Sequence, residues 1–277
     1  MGHPMSNLST YALHKMSWPE VAEAAETVEL VLIPIGSTEQ HGPHLGLGQD
    51  HLIAHAYCER AAERLAPRLL ALPAIPWGIS DHHMNFPGTM TLRPETFLDL
   101  LEDIIVSMRH HGFRRFLIVN GHGGNQWLMS AAVQDIGFRL DIDFLGCVGH
   151  YTLGDDSVLK DIAGEIPGGH ACEMESSHAY YLAPDLIRQD ALAPGTVDEA
   201  FKAMLEPLQE LELVWPNAFN AHAPSGAKGD ARKGTREAGE RLIESSIDEL
   251  AEILDHLRHS PRWNGPPHGQ VHVTRKS

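Results

Sequence analysis

Cysteine is scarce in this chain of 277 residues, with three copies at Cys58, Cys147 and Cys172. Odd in number and widely spread, they argue against a disulfide framework or a CxxC zinc knuckle and read as reduced thiols. Basic residues are also few, 21 Lys and Arg against 37 Asp and Glu, which leaves a formal net charge of −16. That balance opposes a nucleic-acid surface and any attraction to anionic lipid. No apolar run approaches the roughly 20 residues of a membrane helix. Met1–Thr10 is polar with no apolar core, so neither a transmembrane helix nor a signal peptide is expected, and the cytoplasm is the default location. Ser37 and Ser80 lack a GxSxG elbow, which disfavours a serine nucleophile. No internal repeat is visible.

Apolar residues make up 43% of the chain, enough for a sizeable core in one large domain or two small ones. Apolar runs alternate with helical periodicity. Val31–Ile35 reads as a buried strand stopping at Gly36, followed by a helix over His51–Leu65. Leu69–Ile75 is a second run ended by Pro76, and Pro94–Met108 is helical with Pro94 in its first turn. Phe116–Val119, a helix over Gln126–Phe138, a strand over Ile142–Val148 and a helix over Glu173–Leu182 continue the pattern. Such alternation implies a mainly parallel sheet with helices on both faces. Gly154–Gly169 has no clear period and reads as a long glycine-rich loop. Glu199–Leu213 looks helical, Trp215–Lys233 irregular, and Thr235–Leu257 a long amphipathic helix. The proline-bearing tail Ser260–Ser277 is expected to be extended or loosely docked.

Histidine is abundant, with 19 copies. His3, His14, His110, His111, His259 and His268 read as surface or packing residues. Others gather with carboxylates at strand ends. Glu39, His41, His44 and Asp50 all follow the first strand, where ligands of open α/β sheets collect. Glu39 and His41, two residues apart, lean the same way in an extended segment. Asp50 is either the N-cap of the next helix or a carboxylate whose two oxygens bridge two metals. Asn120-Gly121-His122-Gly123-Gly124-Asn125 follows the third strand; it is a glycine turn that could hold an anion at the helix start, or a loop presenting His122 as a ligand. No GK[ST] follows, so it is not a Walker loop. In Gly168–His178, Glu173 and Glu175 are first-turn acids, or Glu173 is a fifth metal ligand with His170, three residues from it, left free as a proton carrier.

The runs IPIGSTEQHGPHLGLGQD, NGHGGN and HACEMESS resemble the creatininase family of metal-dependent amidohydrolases, in the same order and at similar separations. NFPGTMTL and GAKGDARKGT extend the likeness over most of Leu30–Leu242. The resemblance implies a single three-layer α/β/α domain with a mainly parallel sheet. It also implies two divalent ions (zinc first, manganese or iron also suitable), a small-molecule substrate, hydrolysis of a C–N amide bond, and a ring-shaped homo-oligomer, up to a hexamer. Carried over by position, Glu39, His41, Asp50 and His122 match metal ligands, with Asp50 bridging, and His170 matches the catalytic histidine. The pattern departs from creatininase at Gly124, where that enzyme has a glutamate. Glu173 is the expected replacement ligand, with Glu175 orienting His170. No tryptophan lies in Tyr151–Gly169 to close the pocket as in creatininase. Formamides, peptide precursors and strained cyclic carbonyl compounds, the substrates of other branches, therefore stand beside creatinine as alternatives. Metal or ligand binding without turnover is the reading of another class.

Overall fold

The computed structural model describes residues 8–164, 168–205, 216–260 and 263. Four strands, β1 (Leu30–Ile35), β2 (Leu69–Ala71), β3 (Arg115–Asn120) and β4 (Phe144–Gly149), form one parallel sheet in the order β2-β1-β3-β4. The helices are α1 (Trp18–Ala24), α2 (Gln49–Arg64), α3 (Pro94–His110), α4 (Gln126–Arg139), α5 (Asp156–Ile162), α6 (Glu173–Leu182), α7 (Glu199–Leu205), α8 (Phe219–His222) and α9 (Arg236–Arg258).

Side chains of β1 alternate between two cores, as the pleat requires. Leu30 and Leu32 meet Tyr57, Cys58 and Ala61 of α2 with Ile243, Ile247 and Leu254 of α9. Val31, Ile33 and Ile35 meet Phe97, Leu101 and Ile105 of α3 with Leu128, Met129 and Ile136 of α4. Burial on both faces is why β1 reads as an unbroken apolar run. The architecture is the expected three-layer α/β/α. The chain leaves β1 toward β2 on one side, while β3 and β4 lie on the other. β1 and β3 therefore flank a topological switch point, where such sheets bind ligands beyond their carboxyl ends. Ile35 pairs with Asn120, so both strands end level there.

The differences from expectation have local causes. β2 stops at Ala71 because Pro73 cannot donate to the ladder, although Ile75 still donates to the Pro34 carbonyl at 3.0 Å. β4 begins at Phe144, since Ile142 turns back to the Leu140 carbonyl. Three short helices were hidden, one of them α8 within the stretch read as irregular. In α1, Ser17 and Glu20 form a capping box, with Pro19 in the first turn. In α5, inside the stretch read as aperiodic, Asp155 accepts from the Ser157 amide and only Val158 is buried. One buried residue in two turns leaves no period to read. Glu199–Leu213 begins as α7; its part beyond Leu205 lies outside the described residues, as does most of the tail. Trp263 is buried, its carbonyl accepting from Arg115 Nε at 2.7 Å. Among the described residues, no helix is long and apolar enough to cross a membrane.

α6 carries part of the candidate site and is held against α9 by backbone contact. A Cβ at Gly239 of α9 would collide with the Ser177 carbonyl of α6. Gly239→Ala is therefore expected to overpack this interface at about 1–3 kcal/mol. Gly137→Ala in α4, where the nearest atom would be 3.9 Å away, should instead be neutral or stabilising by up to about 1 kcal/mol. Urea unfolding of both variants checks the contrast, and equal stabilities would contradict the close approach of α6 and α9.

Candidate metal centre

Two glycines let the first turn of α2 settle on the sheet end. A Cβ at Gly36 would collide with the His51 backbone, and one at Gly121 with the Asp50 carbonyl. Gly48, not Asp50, is the N-cap of α2, and Asp50 is the second residue of the helix. The capping alternative is thereby corrected: its carboxylate turns into the site, where the positive helix end also favours it. The loop after β3 is locked by its two asparagines. Asn120 accepts from the His122 amide at 3.1 Å and donates to the His122 carbonyl at 2.8 Å. Asn125 accepts from the Ile79 amide at 2.9 Å and donates to the Gly36 carbonyl at 3.2 Å. The glycine turn is thus also the frame that presents His122.

Glu39, His41, Asp50, His122, His170 and Glu175 converge there, all buried except the half-buried Glu175. Asp50 divides its oxygens: Oδ1 lies 3.0 Å from His41 Nε2, and Oδ2 lies 3.1 Å from His122 Nδ1. Glu39 Oε1 stands 3.3 Å from the same His122 Nδ1. Glu175 Oε1 stands 3.9 Å from His41 Nε2. The outer nitrogens fix which ring atoms face inward. His41 Nδ1 donates to the Glu39 carbonyl at 3.2 Å, and His122 Nε2 to the Ile79 carbonyl at 3.0 Å. Each ring therefore aims a lone pair at the carboxylates. Glu39 Oε1, His41 Nε2 and Asp50 Oδ2 are buried without a hydrogen-bond partner. Unpaired buried groups of this kind are costly, and imidazole and carboxylate donors together are the set that divalent zinc or manganese takes. The residues fit a metal.

Electrostatics agree. Burial pushes Glu39 up, but the charge of His122 outweighs it and holds the carboxyl at about 2. Burial likewise opposes ionisation of Asp50, yet the charges of His41 and His122 beside its two oxygens keep it well below the carboxylate range. Burial disfavours the charged form of His41, and Asp50 reverses this, raising it to about 10. A field that draws protons onto buried imidazoles also draws dications. Burial and the charge of His41 drive His170 the other way, well below its ordinary value. Burial raises Glu175 to about 7.

Three expectations are corrected. Glu173 does not join the cluster: its Oε2 accepts from the Asp230 amide at 2.8 Å, and Gly168 and Gly229 pack beside its carboxylate. Glu175, two residues on, faces His41 instead. Nor does Glu175 orient His170. Its other oxygen accepts from the Ala171 amide, while His170 Nε2 donates to the Gln40 carbonyl at 2.7 Å. His44 turns away, its Nε2 donating to the Ala171 carbonyl at 3.0 Å. The bond fixes a turn in which Ala171 has φ 50°. Gly124 leaves no room for a side chain: a Cβ would meet His122, the Ile79 carbonyl and His82. His82 and His83 were missed. His83 Nε2 stands 3.4 Å from Glu39 Oε1, and Gln40, whose Oε1 is tied to the Gly42 amide at 2.9 Å, donates to His83 Nδ1 at 2.8 Å. The NFPGTMTL block just downstream was the signal to look there. Cys58, Cys147 and Cys172 are free, as expected.

A family model described as creatinine amidohydrolase matches residues 14–254. The chain belongs to the creatininase family. It is similar to a 3-dehydro-scyllo-inosose hydrolase of Thermotoga maritima, 27% identical over 91% of this chain and 85% of the relative. A mycofactocin precursor peptide peptidase of Mycobacterium ulcerans is 30% identical over 87% of this chain and 88% of that protein. Creatinine amidohydrolase of Pseudomonas putida is 27% identical over 87% and 94%. Among solved structures, a manganese creatininase superposes with a TM-score of 0.72 at 25% identity over 90% of this chain and 98% of the other. A zinc–zinc form of a creatininase variant gives 0.71 at 24% over 90% and 98%. Members of this family are metal-dependent amidohydrolases, so this chain is an enzyme of that class, and binding without turnover is set aside.

Two substitutions separate the inward carboxylate from the outward one. Asp50→Ala should fold and lose most bound metal after dialysis, since both donor sets share Asp50. Glu173→Gln should keep its metal while melting a few degrees lower, because it weakens the bond to Asp230. Elemental analysis beside circular dichroism checks both. Full occupancy in Asp50→Ala, or metal loss in Glu173→Gln, would contradict these placements.

Proposed function

We propose that this creatininase-family enzyme hydrolyses the C–N amide bond of a small substrate, cyclic or of formamide type, with water activated between two divalent ions. The observation that carries the reading is the division of Asp50 between His41 and His122. One carboxylate thereby serves two donor sets. Glu39, Asp50 and His122 would hold one ion; His41, Asp50 and Glu175 would hold the other. Zinc suits this set first, with manganese and iron compatible. Bound there, the ions lower the pKa of water toward neutrality and polarise the substrate carbonyl.

The remaining work falls to residues of this chain. With Nε2 committed to the Gln40 carbonyl, His170 keeps Nδ1 for proton transfer on the side facing Glu39, 3.9 Å away. Burial and the charge of His41 keep the ring neutral, which leaves a lone pair at Nδ1. His170 takes the proton of the attacking water at Nδ1 and returns it to the departing nitrogen, which cannot leave as an anion. Phe219 of α8 closes over this ring at 4.7 Å and over His83 at 4.5 Å, excluding bulk water from the proton path.

The similarity to a peptide peptidase and an inosose hydrolase supports trimming of a short peptide, or opening of a strained cyclic ketone, as second readings. A homo-oligomer, up to a hexamer, belongs to the same proposal. Trp77 and Trp127 are 43% and 59% exposed, large apolar side chains of the kind that subunit contacts cover.

His170→Ala tests the proton role. Metal content should stay at the parent level while turnover of an amide substrate falls about 10²-fold or more. An activated ester needs no protonated leaving group and should lose far less. Equal losses would make His170 a positioning group, and loss of metal would make it a ligand.

A further inference from the structure

Away from the sheet end, a second set of metal-competent side chains lies on the outer face of α2. His55 and Glu59 stand four residues apart, the spacing that brings two side chains together on one helix face. His14, from a single 3-10 turn at Leu13–Lys15, reaches over them. His14 Nε2 is 3.5 Å from Glu59 Oε1, and His55 Nε2 is 3.7 Å from the same oxygen. All three donor atoms lie within 4.8 Å of one another. Ligands about 2.0–2.1 Å from a tetrahedral zinc ion stand about 3.3 Å apart, close to these separations. Glu59 Oε1 is the atom on which all three contacts converge, drawn from two imidazoles and the Lys15 ammonium. Burial holds the His55 imidazole below its ordinary value, keeping its lone pair available. Lys15 Nζ lies 2.8 Å from Glu59 Oε1, so a cationic charge already sits beside the trio.

We propose that His14, His55 and Glu59 form a further metal site, for one zinc-class ion, separate from the catalytic centre. Two imidazoles and one carboxylate are a donor set that zinc accepts, with the fourth position left to water. The ion fastens the amino-terminal turn to α2 beside the sheet edge, where the Ala71 amide donates to the Tyr11 carbonyl at 2.9 Å. α2 carries Asp50 in its first turn, so the clamp stiffens the helix that positions the catalytic carboxylate. Zinc must displace the Lys15 ammonium from Glu59, and the two cations therefore compete for one oxygen.

Zinc alone, titrated calorimetrically into the full chain with its catalytic metals in place, tests the proposal. One additional binding event per chain is expected. It should vanish in His14→Ala, an exposed position whose loss cannot unfold the core, and in Glu59→Gln. Lys15→Met should tighten it several-fold by removing the competitor. Replacing His110 and His111 together, adjacent surface histidines with ring centroids 5.2 Å apart, should leave it unchanged. No additional event, an event that survives His14→Ala, one lost with His110 and His111, or weaker binding in Lys15→Met would overturn the site.

Discussion

The structure depends on the burial of two carboxylates, Glu39 and Asp50, against the same imidazole nitrogen of His122 at the end of a parallel sheet. Anions removed from water repel each other and are costly unless a cation lies between them. Nearly every local feature around them serves that juxtaposition. Gly36 and Gly121 let α2 approach the strand ends, Asn120 and Asn125 hold the loop of His122, and backbone carbonyls occupy the outer ring nitrogens. The protein holds the donors rigidly in place, so binding an ion costs little reorganisation.

Much of this arrangement was legible in the sequence. The apolar runs of β1 and β3 and the pattern of α3, α6 and α9 marked a layered α/β fold, because each element buries a whole face or stripe. Glu39, His41, Asp50, His122 and His170 were legible because strand ends concentrate ligands and the motifs recur as a set. The choice between Glu173 and Glu175 was not. Both lie in the first turn of α6, and which one turns inward depends on the Ala171 turn and on the amide of Asp230, a contact 57 residues away. His82 and His83 were invisible for a similar reason: they come from an irregular segment beside the site whose position no periodicity encodes.

The periphery is built differently from the centre. The clustered carboxylates and imidazoles sit on strand ends and first helical turns, held by backbone bonds. Phe219 and His222, by contrast, come from the short helix α8, tied to the opposite loop through Asn85 and Asn220 at 2.8 Å. α8 therefore reaches the site through the rings of His83 and His170, which Phe219 covers, and not through the strand ends that carry Glu39 and His122.

Anomalous diffraction from crystals of the metal-loaded protein, recorded at the metal edge, tests the central claim most directly. The account predicts two ions that share Asp50, one also touching Glu39 and His122, the other His41 and Glu175, with Glu173 touching neither. A single ion in this centre, or Asp50 confined to one of two, would contradict it.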